Sequence, residues 1–166
     1  MSRWGLIKRL AFVTVALFVA LSYVAHFQLA PSVGGKIILD LRPFGYDNTA
    51  VHAFRDALNF ESEALYLRTY LPIDFFFIAA LTGLLFLLSK ETGSYVLRVC
   101  ILTLAVGFMV TDIVENWVVS GLLTKPALET DLVSVASMLT QAKYACLLLV
   151  LVVLVFAWMK SRPHEG

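Results

Sequence analysis

Four long apolar stretches constrain this chain more than any other feature of its sequence. They cover approximately residues 10–30, 71–89, 99–123 and 132–159. The hydrocarbon core of a bilayer is about 30 Å thick, and a helix needs roughly 20 apolar residues to cross it. A backbone in lipid must also satisfy its own hydrogen bonds, which a single apolar segment does as a helix. We therefore predict an all-α, four-helix transmembrane bundle that forms one integral membrane domain over residues 1–166.

The composition supports a membrane environment and excludes several other classes. Hydrophobic residues make up 60% of the chain and charged residues only 15%, whereas an ordinary soluble domain carries about a quarter charged residues. Thirteen basic and 12 acidic side chains give a net charge of +1, so no basic surplus is left for nucleic acid. Cys100 and Cys146 lie far apart in apolar stretches, which indicates no disulfide framework. We expect the lipid bilayer as a partner and no nucleic acid.

The first span and the basic residues together predict the topology. The apolar run from Leu10 to Ala25 is longer than a signal peptide's usual core, so we interpret it as an uncleaved anchor. Positive residues beside spans are retained in the cytoplasm. We therefore predict that the protein is multi-pass with both termini inside and its long loop extracytoplasmic. The basic residues beside span ends on the terminal side are Arg3, Lys8, Arg9, Lys90, Arg98, Lys160 and Arg162, and those opposite are Lys36, Arg42, Arg55, Arg68 and Lys125.

The loop over residues 31–70 is too long to be a simple connection, and we predict that it is helical. Asp47 or Asn48 is expected to cap a helix that Asn59 ends in a left-handed conformation. A second helix from about Glu61 should run towards Pro72, where the missing amide marks a kink or the first turn of span two. The favoured interpretation is an amphipathic hairpin on the outer interface; the alternative is a lid over a site between the spans. The apolar stripe of the first loop helix is Val51, Phe54 and Leu58.

Five polar side chains interrupt the apolar stretches: Asp74, Asp112, Glu115, Asn116 and Lys143. Each charged residue near the centre of a span costs roughly 2.5–3.5 kcal/mol, so these groups should face one another or water. A rise of about 1.5 Å per residue places all four ionisable groups ~20–24 Å from the terminal-side boundary. Asp112, Glu115 and Asn116 also share one helix face. The sequence therefore predicts one polar layer, in which Lys143 and the neighbouring Tyr144 of span four face span three.

This polar layer admits two interpretations. A structural network would pair Lys143 with Glu115 or Asp112 and fix the helix register, since buried charge pairs contribute more to specificity than to net stability. A functional site is the other interpretation, because intramembrane ionisable residues are usually functional. Three carboxylates facing one lysine leave excess negative charge, which favours a held proton or a bound cation. We predict no metal site and no cofactor, since the three histidines lie outside the layer.

Short motifs carry a resemblance to a known class of proteins. They are Asp40-Leu41-Arg42-Pro43-Phe44-Gly45-Tyr46, Leu71-Pro72-Ile73-Asp74, Asp112-Ile113-Val114-Glu115-Asn116 and Lys143-Tyr144. In these motifs the chain resembles uncharacterised small bacterial four-span integral membrane proteins with an intramembrane D-x-x-E-N element. The resemblance covers roughly residues 38–144. It implies a long extracytoplasmic first loop and a cell (plasma or inner) membrane location, and it brings no activity or ligand.

From the residues we predict a small-molecule or proton-linked binding or transport component. Glu115 or Asp112 would hold the exchangeable proton, Lys143 would be the counter-ion, and Asn116 and Tyr144 would orient the ligand, with Asp74 in the same layer. Two alternatives stay open: an accessory protein whose polar layer only fixes packing, and an acid/base enzyme acting on a lipid-like substrate. Because four spans are few for a transporter, the transport hypothesis also predicts a homodimer or a partner membrane subunit.

Overall fold

The computed structural model describes residues 2–124 and 130–161, and within these ranges the chain forms five helices and no strand. Lys125 and Arg162, two of the basic residues used for the predicted topology, lie outside the described residues. Four of the helices are long and apolar enough to cross a membrane. The all-α, four-span architecture is thus confirmed. The helices are α1 (Arg3–Ser32), α2 (Asn48–Ala57), α3 (Phe60–Ser89), α4 (Tyr95–Thr124) and α5 (Thr130–Ser161).

Consecutive spans pack side by side: α1 on α3, α3 on α4, and α4 on α5. Small residues permit this close approach. A Cβ at Gly83 of α3 would lie 3.4 Å from Leu10 of α1, and one at Gly107 of α4 would lie 3.2 Å from the Cys146 sulfur of α5. Three sides of a four-helix bundle are therefore closed by direct helix packing, and the fourth side lies between α1 and α5.

The two ends of the bundle differ in how much they bury. We call the end that carries residues 33–59 the loop end, and the end with the α3–α4 turn the terminal end. Side chains from all five helices share the larger core at the loop end. A smaller core at the terminal end is built by α3, α4 and α5 around Leu85, Ile101, Ala105 and Val150.

The α2 helix covers the loop end. Its N-cap is Asp47, whose side chain accepts a 2.8 Å hydrogen bond from the amide of Ala50, as the sequence predicts. Val51 and Phe54 are fully buried in the core that the spans share, and Leu58 packs against that core. The apolar stripe of α2 therefore packs on protein, which fits a lid better than a hairpin resting on lipid.

The prediction that Asn59 ends a helix in a left-handed conformation is wrong. Its φ is −104° and its ψ is 174°, and it forms the N-cap of α3. The Asn59 side chain accepts from the Ser62 amide, while the Ser62 hydroxyl accepts from the Asn59 amide, each at 2.8 Å. This reciprocal capping box satisfies two amides at once, which explains why Asn59 begins a helix.

Both α1 and α3 contain one π-helical turn near the loop end, Val24–Leu29 in α1 and Tyr66–Tyr70 in α3. In α3 the amide of Leu71 donates to the carbonyl of Tyr66, five residues back. This wider turn comes directly before Pro72, whose missing amide disturbs the regular hydrogen-bond pattern. The helix therefore continues past the proline from Phe60 to Ser89.

Candidate functional site

The ammonium group of Lys143 on α5 lies in a cage of three carboxylates. Its Nζ is 2.8 Å from Oε2 of Glu115 and 3.0 Å from Oδ1 of Asp112, and it also contacts Oδ1 of Asp40. All four residues are at most 4% exposed. Three acidic side chains therefore share one buried positive charge.

Regular helix geometry positions most of this cage. Asp112 and Glu115 are three residues apart and so lie on the same face of α4, which packs against α5. Thr140, one turn before Lys143 on α5, is fully buried and donates its hydroxyl hydrogen to Oε1 of Glu115. Both oxygens of Glu115 thus face partners on α5, and the carboxylate is fixed in place.

Asp74 of α3 lies beside this cage and is held differently. Its Oδ2 accepts a hydrogen bond of 2.5 Å from the Asn116 amide group. The three acidic partners of Lys143 are Asp40, Asp112 and Glu115, so Asp74 is not among them. Asn116, which we expect to orient a ligand, thus orients the Asp74 carboxylate, and Asp74 is the least neutralised acid of the layer.

Asp40 is the member of the cage that sequence reasoning missed. It lies in a short 3₁₀ turn, Leu39–Leu41, and its Oδ2 accepts a 2.6 Å hydrogen bond from the hydroxyl of Tyr70. The hydroxyl of Tyr144 donates to the backbone carbonyl of Asp40 at 3.2 Å. Tyr144 therefore ties the loop to α5. An available signal was the position of this acid between apolar neighbours in Ile37-Ile-Leu-Asp-Leu41.

The segment after Asp40 is seated on α5 by further contacts. The Tyr46 amide donates to the Ser137 hydroxyl at 2.9 Å, and Gln141 donates to the carbonyl of Phe44 at 3.3 Å. Gly45 between them has a φ of +83°, and a Cβ there would overlap the side chains of Ser137 and Gln141. Burial raises the pKa of the Tyr46 hydroxyl well above its ordinary value, so this side chain stays neutral.

A cavity of about 310 Å³ adjoins the cage. It is bordered by all four spans and by the loop at Asp40 and Leu41. Glu115 and Asn116 are not part of its lining, whereas Asp74, Asp112, Lys143 and Tyr144 are. The polar residues on its wall are Ser22, His26, Asp40, Tyr70, Asp74, Asp112, Lys143 and Tyr144, and its larger apolar side chains include Phe18, Leu21, Phe77, Phe108 and Leu147.

The cage also bears on metal binding. Oxygen atoms of Asp40, Asp112 and Glu115 lie within 4.8 Å of one another, a spacing that suits a metal ion. Hard cations such as Mg²⁺ and Ca²⁺ take oxygen ligands and need no histidine, so the positions of the histidines, of which His26 borders the adjoining cavity, do not decide the matter. Lys143 Nζ lies within 3.0 Å of one oxygen from each of these residues. The chain therefore supplies its own cation at this point.

Comparison with known protein families, with curated proteins and with solved structures finds no match to this chain. The geometry of the cage and the cavity therefore carries the functional argument.

Proposed function

We propose that this membrane protein is a small-molecule binding component, with proton-linked binding or transport, whose ligand occupies the cavity beside Lys143. One observation carries the proposal: a cavity of about 310 Å³ lies against Asp74, Asp112 and Lys143, between the four helices that are long and apolar enough to cross a membrane. Ligand sites are typically mostly apolar cavities of about 300–1,000 Å³ with a few convergent polar groups. This cavity has that size and that kind of lining.

The positions of the side chains support a division of roles. Asp74 and Asp112 line the cavity and would contact the ligand. Lys143 is the counter-ion, Asn116 orients Asp74, and Tyr144 holds the loop in place. Glu115 lies behind the wall and stabilises the ammonium group of Lys143.

The balance of charges in the buried layer supports the proposed link between ligand binding and protons. Four carboxylates, those of Asp40, Asp74, Asp112 and Glu115, lie in this buried layer, and three of them share the ammonium group of Lys143. Charges in a low-dielectric interior are costly unless they are paired. The excess acid groups must therefore hold protons or face a positive ligand, so that ligand binding and proton release are coupled.

The proposal includes the topology that the basic residues favour. With both termini on the cytoplasmic side of a plasma membrane, the loop end and the cage lie at the extracytoplasmic side. As a transporter, this four-span chain would act with a second copy or a partner membrane subunit.

A purely structural role is the second candidate, and the cage itself favours it. Lys143 has three acidic partners, and Glu115 has partners for both oxygens. Such a network would fix the loop and the helix register without any ligand.

Native mass spectrometry on gently extracted protein distinguishes these candidates. We compare the wild type with Asp74→Asn, which keeps the shape of the side chain, and with Asp56→Asn, a matched change at an exposed carboxylate of α2. The wild type and Asp56→Asn should carry the same small-molecule adduct. The fraction of Asp74→Asn that carries the adduct should be lower by about tenfold or more, while its unfolding temperature stays unchanged. If the wild type carries no adduct, or if Asp74→Asn retains it fully, the structural role stands instead.

A further inference from the structure

The cavity also indicates what class of molecule it takes. Resting on the binding function proposed above, we infer that the ligand is a lipophilic cation, an amine with an apolar body, that reaches the cavity sideways from the bilayer between α1 and α5.

The wall of the cavity changes from polar to apolar within about one helical turn. On α3, Phe77 follows Asp74 by three residues; on α4, Phe108 precedes Asp112 by four. On α5, Leu147 follows Lys143 by four. Each apolar residue is therefore displaced towards the terminal end by about 4.5–6 Å relative to its polar neighbour. A molecule that fits this wall has a polar head at the loop end and an apolar body directed towards the middle of the bilayer.

The charges that face the cavity select a positive head. Three carboxylates, those of Asp40, Asp74 and Asp112, line it, together with Lys143 and His26. Lys143 is already shared among three acids, one of which is Glu115 behind the wall. Even with a protonated His26, four ionised acids exceed two positive groups. An ammonium head beside Asp74 lowers this excess, whereas a carboxylate or phosphate head would increase it.

The arrangement of the helices leaves a lateral route to the cavity. Direct packing joins α1 to α3 and α5 to α4, while α1 and α5 both contribute residues to the cavity wall. Phe18, on the α1 side, is 58% exposed. At the loop end, α2 and the segment seated on α5 cover the bundle. A molecule dissolved in the bilayer therefore meets an apolar opening, and one dissolved in water meets the covered end.

The test uses three probes with the same alkyl chain: dodecylamine, dodecanol and dodecanoate. Each is titrated onto the full chain in nanodiscs of neutral phosphatidylcholine, and its occupancy is measured by native mass spectrometry. The wild type should reach half occupancy with dodecylamine at a concentration about tenfold lower than with either other probe. Asp74→Asn should reduce this preference to less than about threefold, while Asp56→Asn should preserve it.

The placement of the apolar body in the cavity, on which the lateral route depends, is tested by filling that part of the cavity. Leu147→Trp should slow or abolish occupancy by dodecylamine, because the larger ring fills the apolar part of the cavity. Leu151→Trp is the matched control, since Leu151 lies one turn further along α5, is 58% exposed and is not part of the cavity lining. Equal loss of occupancy in both variants would overturn the placement of the apolar body in this cavity, and with it the lateral route.

The outcomes separate this inference from the proposal on which it rests. If dodecanol or dodecanoate binds as well as dodecylamine and depends on Asp74, the cavity is a binding site but the cationic class is wrong. If no probe shows Asp74-dependent binding, the inference is overturned. The adduct on the protein as extracted then decides the binding function by itself.

Discussion

The loop end and the terminal end of this bundle are held together by different kinds of contact. At the loop end, buried ions, a capping helix and side chains from all five helices form one continuous core. At the terminal end, a small apolar core joins three spans. Arg3 and Glu91 form an ion pair there at 3.2 Å, and their side chains are 59% and 27% exposed, respectively.

The difference teaches where structural specificity resides in a chain that is apolar nearly throughout. Lipid tails are as apolar as the helices, so burial of apolar side chains does little to choose one helix arrangement over another. Charged and hydrogen-bonding groups do make that choice, because leaving them unpaired is costly. Substitutions should therefore cost more at the loop end than matched substitutions at the terminal end.

The largest effect is expected from Lys143→Met, which leaves three buried carboxylates without their cation. Breaking a buried ion pair from one side typically costs about 3–5 kcal/mol. Unfolding by sodium dodecyl sulfate in mixed micelles measures this loss, and Lys160→Met, an exposed lysine at the terminal end, is the matched control.

Adding Glu115→Gln to Lys143→Met tests the reason for that loss. With one acid neutralised, the double variant should recover part of the lost free energy of unfolding. A double variant that is less stable than Lys143→Met alone would show that unbalanced charge is not the cause.

A smaller effect is expected from Thr140→Val, which removes the hydroxyl that donates to Glu115. Hydrogen bonds to charged groups contribute about 1.5–3 kcal/mol, so the free energy of unfolding should fall by that amount. Thr14→Val is the control, because Thr14 is also buried and, among the described residues, its hydroxyl bonds only the Leu10 carbonyl of its own helix, at 2.8 Å. Its effect should be smaller than that of Thr140→Val, because a threonine bond to the carbonyl four residues back adds no stability to a helix. Equal losses in the two variants would contradict the comparison.

The smallest of these differences is expected between Gly45→Ala and Gly93→Ala. Both glycines have positive φ, +83° and +63°, so both substitutions carry a backbone cost of about 1 kcal/mol. Only at Gly45 would the new Cβ also overlap side chains, those of Ser137 and Gln141. Thermal unfolding in detergent should show an additional loss of roughly 1 kcal/mol for Gly45→Ala. If Gly93→Ala is the more destabilising change, the contacts of the loop with Ser137 and Gln141 of α5 are unimportant for stability.

Much of the fold follows from the sequence, because span length and apolar content dictate helices in lipid. The N-cap of α2 at Asp47 was also predictable, since it depends on residues three positions apart. Asn59 was mispredicted because its side chain suits either end of a helix, and the Ser62 partner decided the outcome. Pro31 and Pro72 signal a disturbance of the helix from the sequence alone, but not that it takes the form of a π-helical turn.

The candidate site, too, was predictable from the sequence only in part. Depth along a helix is linear in residue number, so the common level of Asp112, Glu115 and Lys143 could be computed from the sequence. Asp40 lies in a loop, where residue number does not determine depth, and its place in the cage depends on how the whole loop folds over the spans. For the same reason the cavity, which is what the helices leave unfilled, could not be predicted.

The charges that meet in the cage also bear on how the chain enters the bilayer. Lys143 on α5 would be costly to expose to lipid, and so would Asp112 and Glu115 on α4. These two spans are consecutive and carry their opposite charges at one level, so a hairpin that inserts as a unit neutralises its own charges as it crosses. An insertion machinery that handles α4 and α5 together would meet a smaller barrier than one that releases them singly.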